Sequence, residues 1–204
     1  MKPKIFTIVI GLLFLFFSAN AQKTKGTLFF KDGSVKEGLV RLTNGEKVKF
    51  RPNKKAKATK YVFSELTEVR IMESSKPSIY VQILAKGHNG PRIVKEIVKG
   101  RVSLYHLETI GSSPMYMPNA GDPGGGSFTT FGTYNIKNLF VKREGENVAT
   151  HLGSDQLFTK NFKKAASEFF KDCEVLVSRI QQREYKKRDV KEIVTFYNNK
   201  CDQQ

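Results

Sequence analysis

The middle of the chain alternates apolar and polar residues in short runs that are separated by turn residues. From Gly26 to Ile71 this pattern predicts five antiparallel strands, with hairpin turns at Asp32-Gly33 and Asn44-Gly45. The polar stretch 53–60 connects the third strand to the fourth. Alternation with a period of two turns one face of each strand toward a core and the other toward solvent. We therefore predict a small curled sheet or an open barrel, whose closure would limit exposed edges.

A second β-rich stretch follows and ends near Leu152. The run SIYVQILAKG predicts one strand, and RIVKEIVKGRVSLYHLETI predicts one or two more, with Gly100 at a turn or bulge. The run KNLFVKREGENVATHL predicts a hairpin whose tip is 144–147. Between these segments, residues at about 111–135 are rich in Gly, Pro and Ser, and we interpret them as one long loop.

The C-terminal segment changes to helical spacing of its apolar residues. Three short helices are predicted, with Thr159 as N-cap of the first and Asp189 as N-cap of the third. Their apolar stripes are Phe162, Ala165, Ala166, Phe169 and Phe170, then Leu176, Val177 and Ile180, then Val190, Ile193, Val194 and Tyr197. The fold class is therefore α+β: an antiparallel β-rich body over 22–152, followed by a three-helix tail over 153–204 that packs on the body.

The N-terminus has the features of a signal peptide over residues 1–21. Lys2 and Lys4 precede an apolar run, and Ala19-Asn20-Ala21 supplies a small-x-small cleavage pattern. The apolar run is shorter than the ~20 residues that span a bilayer, and no cysteine stands directly after it, which excludes a lipoprotein anchor. We expect cleavage near Ala21 and a soluble chain without a transmembrane segment, in the periplasm or outside the cell. An uncleaved N-terminal anchor is the alternative.

The charge of the chain is strongly positive, with 35 Lys and Arg against 19 Asp and Glu. Such a balance favours an acidic protein, an anionic lipid or an acidic glycan as partner, and export argues against nucleic acid. One basic run could form a polyanion patch, because alternate strand residues face the same way. Its members are Lys47, Lys49, Arg51, Lys54, Lys55, Lys57 and Lys60. The alternative is a solvated hairpin whose lysines protect a sheet edge.

The two cysteines, Cys173 and Cys201, could serve a metal, a redox reaction or a disulfide. Neither has a second cysteine within four residues, so the spacing fits neither a zinc site nor a C-x-x-C redox pair. The second and third helices, which we take to be of similar length, should fold back on each other over a short linker. This brings the start of one beside the end of the other, and we predict a disulfide in an oxidising compartment, with free thiols as the alternative.

Signals for catalysis are weak. His88, His106 and His151 lie on separate elements, and the chain lacks G-x-S-x-G, H-E-x-x-H and D-x-D-x-D-G motifs. The run GDPGGGSF lacks the G-K-[ST] ending of a phosphate-binding loop. We therefore assign no catalytic residue, cofactor or metal site. A functional long loop would instead offer an adaptable contact surface built from Met115, Tyr116, Met117 and Phe128.

These observations favour an exported, non-catalytic binding or envelope-associated protein whose basic face suits an acidic or polyanionic partner. Two alternatives stay open. One is a secreted hydrolase with its site under the 111–135 loop. The other is a structural subunit of an envelope complex, which predicts an exposed apolar patch of several hundred Å².

Several stretches together resemble a family of small exported proteins from Gram-negative bacteria of the Bacteroides–Flavobacterium type. They are the ending NAQ of the signal peptide, G-T-L-x-F-x-D-G-S-x-x-x-G, V-K-G-R-V-S-L-Y, and FFKDCEVLVSRI with DVKEIVTFYNNKC. The resemblance extends over most of the mature chain, and its motifs are turns, a strand and the cysteine-bearing helices. It implies export, and it implies no activity, ligand or catalytic residue.

Overall fold

The structure is a computed structural model that describes residues 24–43, 46–118, 127–155 and 161–201. The expected signal peptide, the Asn44-Gly45 turn and Thr159 lie outside these ranges, as do the side chains of 113–118 and 127–131. None of the helices within the described residues is long and apolar enough to cross a membrane.

The described residues form ten strands and three helices, which confirms the α+β class with a β-rich body and a helical tail. The strands are β1 Thr24–Phe30, β2 Val35–Leu42, β3 Lys47–Arg51, β4 Thr59–Val62, β5 Leu66–Glu73, β6 Lys76–Ala85, β7 Pro91–Val98, β8 Val102–Pro118, β9 Ser127–Arg143 and β10 Val148–Ser154. The helices are α1 Phe162–Phe169, α2 Glu174–Gln181 and α3 Val190–Lys200, with short 3₁₀ turns at Phe63–Glu65 and Lys187–Asp189.

One continuous sheet runs through two lobes. The N-terminal lobe holds β1 to β5 in the order β5-β1-β2-β3-β4, and the ring lobe holds β6 to β10 in sequence order. Antiparallel pairing of β5 with β6 joins the lobes. The ring closes where β10 lies parallel to β6, with Val148 opposite Leu84 and Ala149 opposite Ala85. Closure removes two edges that would otherwise be open to pairing.

Two glycines of the N-terminal lobe face each other across β1 and β2 and allow close approach of neighbouring backbone. Gly26 lies opposite Gly38. A Cβ atom on Gly38 would stand 2.3 Å from the carbonyl oxygen of Arg51, and one on Gly26 would stand 2.4 Å from that of Arg70. Only glycine permits such an approach. The core of the lobe is Leu28, Val40, Val48, Phe50, Phe63, Leu66, Val69 and Ile71.

The ring lobe buries apolar side chains on both faces of its strands. One face forms a core of Ile83, Ala85, Val94, Tyr105, Phe140 and Ala149. Residues of the opposite face join the helical stripes in the largest core, and these are Val102, Leu104, Leu139, Val141 and Leu152. Since successive strand residues point to opposite faces, the same short strands serve both cores.

The helical stripes are buried much as the sequence predicts, but the caps differ. Asn161, not Thr159, is the N-cap of α1, and its side chain accepts a hydrogen bond from the Lys164 amide at 3.2 Å. Asp189 occupies the N-cap position of α3, yet its carboxylate accepts from the Lys186 amide at 2.9 Å and not from the helix. The 3₁₀ turn before α3 redirects that side chain, so it closes the turn.

Cys173 and Cys201, which the sequence predicts to pair, form a disulfide with their Cα atoms 5.6 Å apart. The helices between them are unequal, with 8 residues in α2 and 11 in α3, so the assumption of similar lengths was wrong. Cys173 precedes α2 and Cys201 follows α3. The return of the chain over the connection 182–189 therefore brings the cysteines together without helices of equal length.

Arg143 of β9 anchors the helical tail to the ring lobe. Its guanidinium donates to both carboxylate oxygens of Asp172, at 2.7 and 3.0 Å, and to the Phe169 carbonyl at 2.8 Å. It also donates to the hydroxyl of Tyr197 and lies over the rings of Phe169 and Tyr197. Bidentate charge-assisted bonds of this kind are among the stronger polar contacts. The tail is thus fixed in orientation as well as buried.

The long loop predicted at about 111–135 is mostly strand. Residues 111–118 continue β8 and residues 127–135 belong to β9, and they pair from Gly111–Tyr134 to Pro118–Ser127. Beyond His106, the strand partners of β8 within the described residues all lie on β9, so the two strands project as a two-stranded ribbon. The prediction failed because a two-stranded ribbon has open edges. At an open edge the missing amide of Pro breaks no hydrogen bond to a further strand, and the missing side chain of Gly removes no packing against one. The ring of Tyr134 fills the space that a side chain on Gly111 would take.

Candidate functional site

The basic run lies on the N-terminal lobe, and its first three cations belong to β3. Val48 and Phe50 are buried, so the residues that alternate with them, Lys47, Lys49 and Arg51, point outward. The sequence predicted that alternate residues of this strand would face the same way and form a patch. The structure therefore places these three cations of the predicted patch on one face.

Cations also lie side by side across neighbouring strands. Lys49 of β3 is directly opposite Arg41 of β2 and directly opposite Lys60 of β4. Residues in such positions share a face, with Cβ atoms about 4.5–5.5 Å apart, and like charges there are destabilising. Arg41 was not part of the predicted patch. Its place in this row follows from strand register and has no signal in the local sequence.

The other lysines of the run lie in the connection between β3 and β4. Lys54, Lys55 and Lys57 are exposed. The Asn53 side chain accepts hydrogen bonds from the amides of Lys55 and Ala56, both at 3.0 Å, which gives this connection a defined turn. We call the following set the basic face: Arg41, Lys47, Lys49, Arg51, Lys54, Lys55, Lys57 and Lys60. Within the described parts of the chain, no carboxylate forms a salt bridge with any of them.

A second candidate is a cleft of about 360 Å³ between the two lobes, which we call the interlobe cleft. The end of β2 forms one wall, and β6, β7 and β8 form the other. Its lining residues are Leu42, Thr43, Tyr80, Pro91, Arg92, Ile93, Lys95, His106, Leu107 and Glu108.

Glu73 holds part of the cleft wall in place. Its carboxylate accepts hydrogen bonds from Ser78 at 2.7 Å, Tyr80 at 2.6 Å and Lys95 at 2.7 Å. Partial burial opposes ionisation of Glu73, but these bonds, with that from Lys95 foremost, outweigh it and hold its pKa at about 2. Burial and the Glu73 carboxylate raise the pKa of Tyr80. The wall therefore carries an ionised Glu73, a compensated Lys95 and a neutral Tyr80 at neutral pH.

His106 has a buried polar atom without a partner. Its imidazole is on β8, directly opposite Lys95 of β7 and Leu139 of β9. The Nε2 atom is buried and makes no hydrogen bond. Burial lowers the pKa of His106, and the nearby Lys137 and Lys95 lower it further against the opposing effects of Glu108 and Asp155. The imidazole is thus neutral at neutral pH.

This burial predicts a pH-dependent contribution to stability. In the unfolded chain His106 should titrate near its ordinary pKa of about 6.5, and in the folded chain it titrates lower. Below about pH 6.5 the unfolded state then binds more protons, so the contribution of His106 is fully present above that pH and is lost as the pH falls. The free energy of unfolding of the wild type should fall more between pH 7.5 and 5.5 than that of His106→Gln, as measured by urea denaturation. An equal fall in both proteins would contradict the assignment.

The other two histidines do not join His106. His88 and His151 flank the ring of Phe140, with ring centroids 5.6 and 4.9 Å from it. Phe140 belongs to the core on one face of the ring strands. Leu139, which lies directly opposite His106 on the neighbouring strand, points to the other face. Within the described residues, no group of three His, Cys, Asp or Glu side chains could hold a metal ion.

The contact surface proposed for the long loop lies on the ribbon. The backbones of Met115, Tyr116 and Met117 pair with Thr130, Thr129 and Phe128 in turn. Their side chains, and all of residues 119–126, fall outside the part of the chain that the structure describes. The hydrolase alternative placed its site under a loop over 111–135, of which residues 111–118 and 127–135 are strand.

The alternative function, a structural subunit of an envelope complex, predicts one large exposed apolar patch. The exposed large apolar side chains within the described residues are Val35, Met72, Leu84, Ile110, Tyr134, Val148 and Val175. Leu84 and Val148 are paired strand neighbours, and Ile110 and Tyr134 share the ribbon, while the others lie on separate elements. Such scattered exposure is ordinary for a protein surface.

No protein-family model, curated protein or solved structure matches this chain.

Proposed function

We propose that the protein is an exported, non-catalytic binding protein whose basic face contacts an acidic or polyanionic partner. The observation that carries the proposal is the row Arg41, Lys49 and Lys60, which crosses three neighbouring strands without a carboxylate in salt-bridge contact among the described residues. Like charges in direct opposition cost folding free energy. A partner with negative charge would offset that cost on binding.

The shape of the basic face suits an extended anionic surface or chain. Three strands at a spacing of about 4.8 Å give a width of about 10 Å, and the five residues of β3 add a length of about 17 Å. The lysines of the connection extend the charge beyond the sheet. Because these side chains are partly or fully exposed, their attraction should be screened strongly at physiological salt, where the Debye length is about 8 Å.

Export belongs to the same proposal. The sequence of residues 1–21 has the n-region, apolar run and cleavage pattern of a signal peptide. The disulfide between Cys173 and Cys201 suits an oxidising compartment such as the periplasm or the cell exterior. The family resemblance noted from the sequence supports this location.

Neutralising the row should weaken polyanion binding. In the variant Arg41→Gln, Lys49→Gln, Lys60→Gln, we expect the affinity for vesicles that contain phosphatidylglycerol, or for polyglutamate, to fall on the order of a hundredfold, at about 1 kcal/mol for each cation. The slope of log affinity against log salt concentration should become shallower in proportion to the number of cations removed. Co-sedimentation for vesicles and calorimetry for polyglutamate provide the measurement.

A matched control separates the face from net charge. The variant Lys164→Gln, Lys171→Gln, Lys191→Gln removes the same formal charge from exposed positions on the helical tail. It should bind almost as well as the wild type. Equal losses in the two variants, or binding that does not weaken with added salt, would overturn the proposed function.

A further inference from the structure

Within the described residues, the far halves of β8 and β9 form a ribbon that is open on both faces and at both edges. Beyond Leu107 on β8, and before Lys137 on β9, these strands pair with each other and with no third strand. Ile110 and Tyr134 lie on opposite faces of the ribbon and are 77% and 45% exposed. A two-stranded ribbon by itself is at best marginally stable in water. A further strand at one of its edges would therefore stabilise it.

Hydrogen bonds at Lys137 show which backbone groups point out of the free edge of β9. The Lys137 amide donates to the Asp155 side chain at 2.9 Å, and the Lys137 carbonyl accepts from the Asp155 amide at 3.0 Å. Both groups of Lys137 therefore point away from β8. The register between β8 and β9 is regular here, and the direction of the backbone groups alternates along an antiparallel strand. The odd-numbered residues from 129 to 135 thus present their amides and carbonyls at the same free edge.

The free edge of β8 is interrupted by proline. Glu108 is directly opposite Lys137, so the even-numbered residues of β8 are the ones whose backbone groups point away from β9. Pro114 and Pro118 are among them and have no amide to donate. Proline at such positions is one of the means by which proteins keep a sheet edge from pairing with another chain.

The opposite end of the sheet is protected in a different way. The last strand there, β4, has only four residues and carries Lys60, and both shortness and lysine oppose pairing at an edge. By contrast, β9 has neither a proline nor a charged residue from Thr129 to Ile136. Of these three free edges, that of β9 is the one suited to accept another strand.

We propose that two copies of the protein pair along this edge, with β9 antiparallel to β9, and form a dimer that contains a four-stranded ribbon. Antiparallel pairing of a strand with its own copy is two-fold symmetric, which is the commonest symmetry of soluble oligomers. An uncharged edge is also complementary to itself, whereas an acidic partner would find no cation there. The backbone groups supply the hydrogen bonds, as in other cases of strand addition at a sheet edge.

The ribbon also keeps the positively charged bodies of the two copies apart. In a pairing centred near Gly132, the two copies of Asn138 would lie about 40 Å from each other, at about 3.4 Å for each residue. This separation is several times the Debye length of about 8 Å at physiological salt, so repulsion between the bodies is screened. The basic face stays accessible in such a dimer, because β2, β3 and β4 lie at the other end of the sheet from β9.

A cysteine scan tests the pairing directly, with one cysteine introduced at a time from 129 to 136 in the mature chain. The native Cys173 and Cys201 are bonded to each other and do not compete. In a two-fold antiparallel pair a residue meets its own copy only at the axis, and each step away separates the copies by about 7 Å more, too far for a disulfide. Oxidation with copper–phenanthroline should therefore give a linked dimer at one or two adjacent positions. The yield there should be at least about tenfold that of cysteines placed at 108–112 on β8.

Two proline variants provide an independent measurement of the same edge. Thr133 and Ser112 are exposed, lie directly opposite each other, and direct their amides away from the ribbon on its two different edges. In sedimentation equilibrium, Thr133→Pro should raise the dimer dissociation constant at least about tenfold, because each copy loses one hydrogen bond of the interface. Ser112→Pro, the matched control, should leave that constant nearly unchanged.

Three outcomes would overturn the dimer. These are a wild-type protein that is monomeric at every concentration, cross-linking that is spread evenly or strongest on β8, and equal effects of the two proline variants. A monomeric protein would leave the proposed function intact, because polyanion binding by the basic face does not depend on the ribbon.

Discussion

Replacing Cys173 and Cys201 together by alanine is expected to lower the free energy of unfolding by about 3.5 kcal/mol. The disulfide closes a loop between residues 28 positions apart, and in the chain-entropy model a loop of this size restricts the unfolded chain by about that amount. The bond also fixes the start of α2 to the end of α3. Guanidinium denaturation of the wild type and the double variant should show the difference as a lower midpoint.

Reduction supplies the control for this substitution. A reductant should bring the wild type to nearly the stability of the double variant, and it should leave the variant unchanged because its thiols are gone. If the reduced wild type kept its full stability, the disulfide would contribute little and the helical tail would depend on packing alone.

Phe170→Ala is expected to cost about 3–5 kcal/mol, as truncation of a buried phenylalanine commonly does. Phe170 follows α1 and is fully buried in the core between the helices and the ring strands. Its ring lies 4.9 Å from that of Phe169 and 5.1 Å from that of Tyr197. The substitution would leave a cavity at the point where α1 meets α3, and thermal and urea unfolding should both report the loss.

Val175→Ala is the matched control on the same tail. Val175 lies on α2 with 43% of its surface exposed, so its truncation opens no cavity. Alanine is also the better helix former, and the variant should stay within about 0.5 kcal/mol of the wild type. A loss from Phe170→Ala no larger than that of Val175→Ala would show that the helical tail does not depend on this core.

The features that could be predicted from sequence are those that short segments determine. Asp32-Gly33 marks a hairpin because its glycine takes a positive φ, here 84°, and Gly145 does the same with 82°. The stripe of α3 is buried as expected, since helical spacing places Val190, Ile193 and Tyr197 on one side. In each case the signal and the structure lie within a few residues of each other.

The features that could not be predicted depend on pairing between distant residues. Arg41 joins the basic face because β2 and β3 pair in one register, and a shift by one residue would turn it inward. The interlobe cleft draws its lining from β2, β6, β7 and β8, so no single stretch of sequence contains it. The ribbon was missed for a related reason, because residues rich in Gly and Pro become strands only through their partner.

The passage from β5 to β6 has a consequence for how the lobes depend on each other. The two strands pair from Val69–Tyr80 to Glu73–Lys76 and are joined by a turn of two residues, so no linker separates the lobes. Each of these strands is protected from foreign strands by its partner in the other lobe. Local melting of one lobe would therefore uncover a row of unpaired amides and carbonyls on its neighbour. Protection against aggregation is in this sense mutual, and a mutation in either core would put both lobes at risk.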